Sequence, residues 1–320
     1  MSHWTRTLTA IVVSLLGATA AWGQAYPSKP VRLLSGFPPG GGADAVARII
    51  GQALSEQMGQ QIIVDTRAGA SGMIANELAA KAPPDGYTLV LGNNLPMVML
   101  TAAGTKTPYD PQKDFAPISL IAVSDYVLTV HPSLPAKSIK ELVALAKAHP
   151  GKLTYASSGN MGGPHMAGEL LGIRANVTLV HVPYKGTGPA AIGVISGETT
   201  MLFGSGPSVV PHLATGRLRG IATTGRKRTI PELPAIAEML PGYEVSQWYG
   251  ILVPAGVRRD IVERLHQEIL RAVASPKVTQ SLVSLGTLPE TNTPDEFRAF
   301  IESEIDKWTK VMKTANIHAE

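Results

Sequence analysis

Short apolar runs alternate with amphipathic stretches along most of the chain. Val31–Ser35 reads as a strand and Asp44–Gln57 as a helix. A strand at Gln61–Asp65, a helix at Gly72–Lys81 and a strand at Tyr87–Leu91 follow. This βαβαβ order predicts a parallel sheet covered by helices. Right-handed crossovers then bring the loops after each strand to one edge. The pattern returns with different residues. Ser138–Ala148 carries Ile139, Leu142, Val143 and Ala146 on one helical face. Strands at Leu153–Ala156, Thr178–Val182, Thr200–Phe203 and Leu218–Thr223 and helices at Gly163–Ile173 and Pro189–Ile195 predict a second parallel sheet. The C-terminal third reads as helices over Arg258–Ala274, Pro276–Leu285 and Pro294–Ala315. Thr293 is placed to cap the last, with Pro294 at its first position and Glu296 three residues on. Its apolar stripe, including Phe297, Phe300, Ile301, Ile305, Trp308 and Met312, predicts core packing.

Two α/β units joined twice predict a two-lobed, hinged protein. The first crossing is expected at Ser124–Val130 and the return at Val245–Val253. The expected division is residues 26–125 plus 248–320 in lobe 1 and 126–247 in lobe 2. Proteins of this shape commonly close around a small ligand.

Composition narrows the choice. The chain has 320 residues, enough for two domains, with 44% hydrophobic residues to bury. It has no cysteine, which excludes disulfides, thiolate metal sites and a cysteine nucleophile. Arg6 precedes an uncharged apolar run from Leu8 to Ala21, followed by small residues. Residues 1–25 therefore read as a secretory signal peptide cleaved at about Ala25, with Ala21 the alternative site. The run is short of the ~20 residues that span a bilayer. Export to the periplasm is the expectation. The formal net charge of +4 falls to +3 without Arg6, and no basic stripe is interleaved with aromatics. Nucleic acid is not an expected partner. A monomer is expected.

Two loops carry the candidate chemistry. FPPGGGAD, Phe37 to Asp44, follows a strand and opens a helix, where parallel sheets bind ligands. Its glycines allow close backbone approach, and the first helical N–H groups have no internal partner. No Gly-Lys-Ser/Thr follows, so it is not a nucleotide P-loop. Alone, this loop leaves an anion cradle and a capped tight turn equally open. YASSGNMGGPH, Tyr155 to His165, has the same layout, with Ser157, Ser158, Gly159 and Asn160 before a glycine-rich helix entry. One cradle in each lobe predicts a ligand with two acidic ends.

Asp44 complements the helix dipole and reads as structural. Arg67 leans to a structural ion pair over a third anion contact, and Asn93 and Asn94 are placed to rim the cleft. Catalytic arrangements are missing. There is no Gly-x-Ser-x-Gly elbow and no His-x-x-x-His pair. Ser157 has no evident base in the sequence, so a serine hydrolase is the weaker alternative. No metal or cofactor is expected.

FPPGGGAD, VDTRAGASG, KAPPDGYTLVLGN, YDPQKDFAPISLI, ELVALAKAHPGKLTYASSGN, HVPYKG, LPAIAEMLPGYEVSQWYG and DEFRAFIESEIDKW occur in this order over nearly all of the chain after residue 25. In this the sequence resembles the tripartite tricarboxylate transporter receptors, the Bug-type extracytoplasmic solute-binding proteins. The resemblance implies an α/β Venus-flytrap fold of the type II-like periplasmic class. Each lobe would be a mainly parallel sheet flanked by helices, with two hinge crossings. It implies a small carboxylate ligand, often a dicarboxylate, delivered to the membrane components of a transporter. A periplasmic sensor presenting the ligand to a signalling receptor is the alternative. The implied contacts are Phe37, Pro39, Gly40, Gly41, Gly42 and Ala43 in the first loop and Ser157, Ser158, Gly159 and Asn160 in the second. His165 and Tyr184 to Gly186 are further candidates. Two departures stand out. The family often carries Thr or Ser where this chain has Ala43. Amino-acid-binding members tend to carry Asp where Gly204 follows Phe203. Gly204 and Ser205 would leave room for a bulkier dicarboxylate, such as an aromatic one of the phthalate or terephthalate type.

Overall fold

The computed structural model describes residues 26–39, 42–226, 228 and 230–317. The expected signal peptide lies outside them. Among the described residues no helix is long and apolar enough to cross a membrane.

The first lobe is built on three parallel strands. β1 (Val31–Ser35) pairs with β2 (Ile62–Thr66) on one side and β3 (Thr88–Asn93) on the other. α1 (Gly42–Met58) buries Val46, Ala47, Ile50 and Leu54, the i, i+1, i+4 and i+8 positions of one face. Burying a side chain of this size contributes about 1.5–3 kcal/mol. α2 (Met73–Ala80) packs on β1 and β3. β3 then runs into a π-helical turn, Leu95–Met99, that the sequence pattern did not reveal.

β4 (Phe115–Val130) is the long element that joins the lobes. As far as Asp125 it pairs antiparallel with β9 (Ser246–Pro254), which lies between it and β3. From Tyr126 onward it pairs antiparallel with β7 (Met201–Ser205) and β8 (Arg219–Thr223). The expected first crossing is thus one continuous strand whose partners change between residues 125 and 126. Thr224, just beyond β8, ties the two crossings together. Its Oγ1 accepts from Tyr126 N (2.9 Å) and donates to Val245 O (2.6 Å). Its backbone N donates to Tyr126 O and its carbonyl accepts from Val245 N.

The second lobe repeats the first. β5 (Thr154–Ser157) pairs parallel with β6 (Val180–Pro183) and with β7. Each lobe thus has a three-stranded parallel core to which the crossing strands add antiparallel pairs. α3 (Ile139–Ala148) is capped by Ser138, whose hydroxyl accepts from Glu141 N. α4 (Gly163–Ala175) and α5 (Thr187–Ile195) fall close to their expected positions. α6 (Gly206–Ala214) was not anticipated, because Pro207 and Pro211 interrupt its pattern.

The C-terminal helices are α7 (Arg259–Ala274), α8 (Pro276–Ser284) and α9 (Pro294–Ala315). Thr293 and Glu296 form the expected capping box. The stripe of α9 is core: Phe297, Ile301, Ile305, Trp308 and Met312 are buried. The helix packs on β4, on the π turn and on α4, so it braces both lobes. Trp248 of β9 meets Phe297 edge-on at 5.5 Å, a contact of about 0.5–1.5 kcal/mol beyond the area it buries.

Candidate ligand-binding cleft

A cavity of about 970 Å³ opens between the lobes. From the first lobe, Phe37, Pro38, Pro39, Gly42 and Ala43 line it at the start of α1, with Asn93, Asn94 and Leu95 at the end of β3. From the second, Ser158 and Met161–Pro164 line it at the start of α4. Gly186 and Thr187 contribute at α5, and Ser205, Pro207 and Ser208 at α6. Among the described residues four α-helices therefore begin at this cavity, α1 in lobe 1 and α4, α5 and α6 in lobe 2, and the π-helical turn begins there at Leu95. Each brings unpaired N–H groups and the positive end of its dipole.

The described lining holds no Asp, Glu, Lys, Arg or His. An anion there would meet backbone amides, hydroxyls and carboxamides, with no side-chain cation. At the lobe 2 end, the Thr187 and Ser208 hydroxyls are 2.7 Å apart and those of Ser205 and Ser208 2.8 Å.

The floor comes from the crossing strands. Ser124 and Tyr126 on β4, and Gln247 and Tyr249 on β9, face the cavity. Each pair is spaced i, i+2, the repeat that keeps side chains on one face of a strand. Trp248, between the second pair, points to the core. Each tyrosine is set against a glycine at a helix start. A Cβ on Gly42 would lie 3.0 Å from Tyr249 Oη, and one on Gly163 only 2.1 Å from Tyr126 Oη. Burial pushes the Tyr249 phenol up to about 12. Burial, then the nearby Tyr249 and Asp125, raises Tyr126 as well. Both phenols therefore stay protonated and able to donate at neutral pH.

The structure brings Phe37, Pro39, Gly42, Ala43, Ser158, Gly186 and Ser205 together on the cavity. Asn93 and Asn94 join them, both buried. Gly40 and Gly41 lie outside the described residues. The remaining candidates sit elsewhere. Ser157 is fully buried, and its Oγ is 2.6 Å from His181 Nε2 and 3.1 Å from both Gly159 N and Gly159 O. Gly159 continues that turn, and Asn160 is exposed beside it without lining the cavity. His165 stacks on His181 at 3.8 Å between ring centroids and accepts from Met161 N at Nδ1 (3.0 Å). Tyr184 packs its hydroxyl against Gly193, behind the cleft. The room expected at Gly204 does not open on the cavity, because Val209 Cγ1 lies 2.2 Å from where a Cβ would be.

Arg67 takes the structural role: its Nε is 2.9 Å from Asp65 Oδ1, and Arg32 holds the same carboxylate at 2.6 Å. Asp44 is buried in the first turn of α1 and pairs with Arg48 at 2.9 Å. The expectation that Ser157 lacks a base is corrected, since His181 stands beside it. Yet Ser157 has no exposed surface, so the pair offers no nucleophile to a substrate in the cleft. Sequence reasoning missed Tyr126, Gln247, Tyr249, Thr187 and Ser208. For the first three the signal was present, as polar residues alternating along the predicted crossings.

The sequence pattern of the Tripartite tricarboxylate transporter family receptor matches residues 46–317. A UPF0065 protein of Pseudomonas sp. (strain P51) is 39% identical over 92% of this chain and 89% of its own length. Two solved structures are similar in fold and sequence. An R. palustris protein with adipate has a TM-score of 0.76 and 34% identity, over 92% of this chain and 99% of that one. MatC from Rhodopseudomonas palustris with bound malate has a TM-score of 0.71 and 29% identity, over 89% and 99%.

Proposed function

The chain belongs to the tripartite tricarboxylate transporter receptor family, and from that premise we propose that it captures a small dicarboxylate between its lobes and delivers it to membrane transport components. One observation carries the reading: four helix N-termini converge on a cleft whose described lining is uncharged. A carboxylate there accepts charge-assisted hydrogen bonds of about 1.5–3 kcal/mol each from amides and hydroxyls. Two or three bonds at each end support micromolar affinity, about −8 kcal/mol, after the costs of association. The similar R. palustris proteins with adipate and malate support the ligand class.

Lobe 1 holds one carboxylate at the start of α1, through backbone amides in the absence of a hydroxyl at Ala43. Lobe 2 holds the other among the starts of α4, α5 and α6. Closure about the crossings, with the lobes meeting near residues 125 and 247, brings both ends onto the ligand. The burial of Ser157 weighs against a hydrolase. Calorimetry with adipate and with hexanoate, its monoacid, tests the two-ended grip. Adipate is expected to bind about tenfold to a thousandfold more tightly. Equal affinities would sink the proposal.

A further inference from the structure

His165 and His181 lie outside the cleft, yet they hold part of its wall. Met161, Gly162 and Gly163 line the cavity, and Met161 has a left-handed backbone (φ 57°) that a side chain disfavours. Such a turn persists only where its surroundings hold it. Here the holding contact is the hydrogen bond from Met161 N to His165 Nδ1, 3.0 Å long. A backbone N–H can only donate, so Nδ1 carries its lone pair and the ring proton sits on Nε2. Protonation of this ring must occur at Nδ1 and must break that bond.

The second ring completes the arrangement. His181 on β6 stacks on His165 with ring planes 8° apart. Through Ser157 it reaches the first residues of the same loop, since Ser157 Oγ contacts both His181 and Gly159. Two imidazolium ions 3.8 Å apart repel strongly, so the pair takes one proton at a time. Glu169, on the same helix as His165, stands 3.7 Å from His165 Nε2 and supplies that ring with a counter-charge. Tyr155 of β5 stacks on His181 and donates to Glu169 Oε1 at 2.5 Å. Tyr243, from the segment before β9, donates to Ala167 O and bears on Tyr155. Tyr126, with Asp125 and Tyr249 near it, bears on the turn from the crossing strands, its hydroxyl against Gly163.

We propose that the stacked His165–His181 pair is a proton-operated latch on the second-lobe jaw, with His165 a positioning residue whose neutral ring holds the Met161–Gly163 turn in the cleft wall. A proton on His165 Nδ1 releases the turn, and lobe 2 loses part of its grip. Burial, then the charge of His165, pulls His181 down to about 4. The effect of the latch on binding rests on the carboxylate reading; the latch itself does not.

The test therefore needs no ligand. Amide exchange at Met161 in the full chain is followed between about pH 7.5 and 5, each rate divided by its intrinsic rate. Protection of the wild-type amide is expected to fall about fivefold to tenfold on acidification. In His165→Asn, the Asn Oδ1 can accept the same bond without titrating, so protection is expected to stay level. Protection that is level in the wild type, or that falls equally in His165→Asn, overturns the latch. If the variant fails to fold, proton resonances of the wild type decide. The His165 ring and the Met161 amide are expected to titrate together, and separate midpoints overturn the proposal.

Discussion

The two jaws of the cleft solve one problem with different materials. The lobe 1 jaw begins a single long helix, α1, whose buried face is aliphatic. Close behind it lie Asp44 with Arg48 and the hydroxyl of Tyr249. The lobe 2 jaw joins three shorter helices through hydroxyls and a stack of two imidazoles. The first jaw is held by packing, which changes little with pH. The second is held by polar contacts, which can be tuned by single atoms or a proton. Where a cleft has no charged lining, its responsiveness must come from the layer behind.

The sharpest way to break this comparison is through the glycines at the two helix starts. Gly163→Ala puts a Cβ 2.1 Å from the buried Tyr126 hydroxyl. It is expected to cost about 1–3 kcal/mol in urea unfolding. Gly42→Ala meets Tyr249 at 3.0 Å and is expected to cost less than about 1 kcal/mol. Equal costs would mean that the two tyrosines are not placed differently. A smaller effect is expected at the hydroxyl cluster. Thr187→Val with Ser208→Ala should weaken adipate binding about threefold to tenfold by calorimetry. Unchanged affinity would place the ligand away from α5 and α6. The smallest is Arg67→Ala. Its pair with Asp65 is half exposed and outside the cleft, so stability should move by less than about 1 kcal/mol. A change in adipate affinity above about twofold would put Arg67 in the site.

Much of the fold is legible in the sequence because periodicity and caps are local. Thr293 and Glu296 announce the start of α9 three residues apart, and the apolar stripe of α1 needs no partner to be seen. α6 is hidden for an equally local reason. Proline is tolerated in its first turn, but Pro211 removes an amide further in and breaks the pattern. The site is less legible because it depends on register. Tyr155 pairs with His181 and Ser157 with Pro183 across β5 and β6, residues 26 apart in the chain. Only that pairing reveals that Ser157 turns to a histidine and away from the cleft. The glycine loops are visible as motifs; which of their atoms face the cavity is decided by the sheet beneath them.

β9 lies between β3 and β4, although the whole of the second lobe separates it from β4 along the chain. The centre of the first lobe's sheet is therefore supplied late in synthesis. Until Ser246–Pro254 emerges, β3 and β4 each present an open hydrogen-bonding edge. Val90, Leu91 and Leu120 pair with β9 and are buried in the finished sheet. The first lobe's sheet thus stays incomplete, with open edges, until the last quarter of the chain arrives.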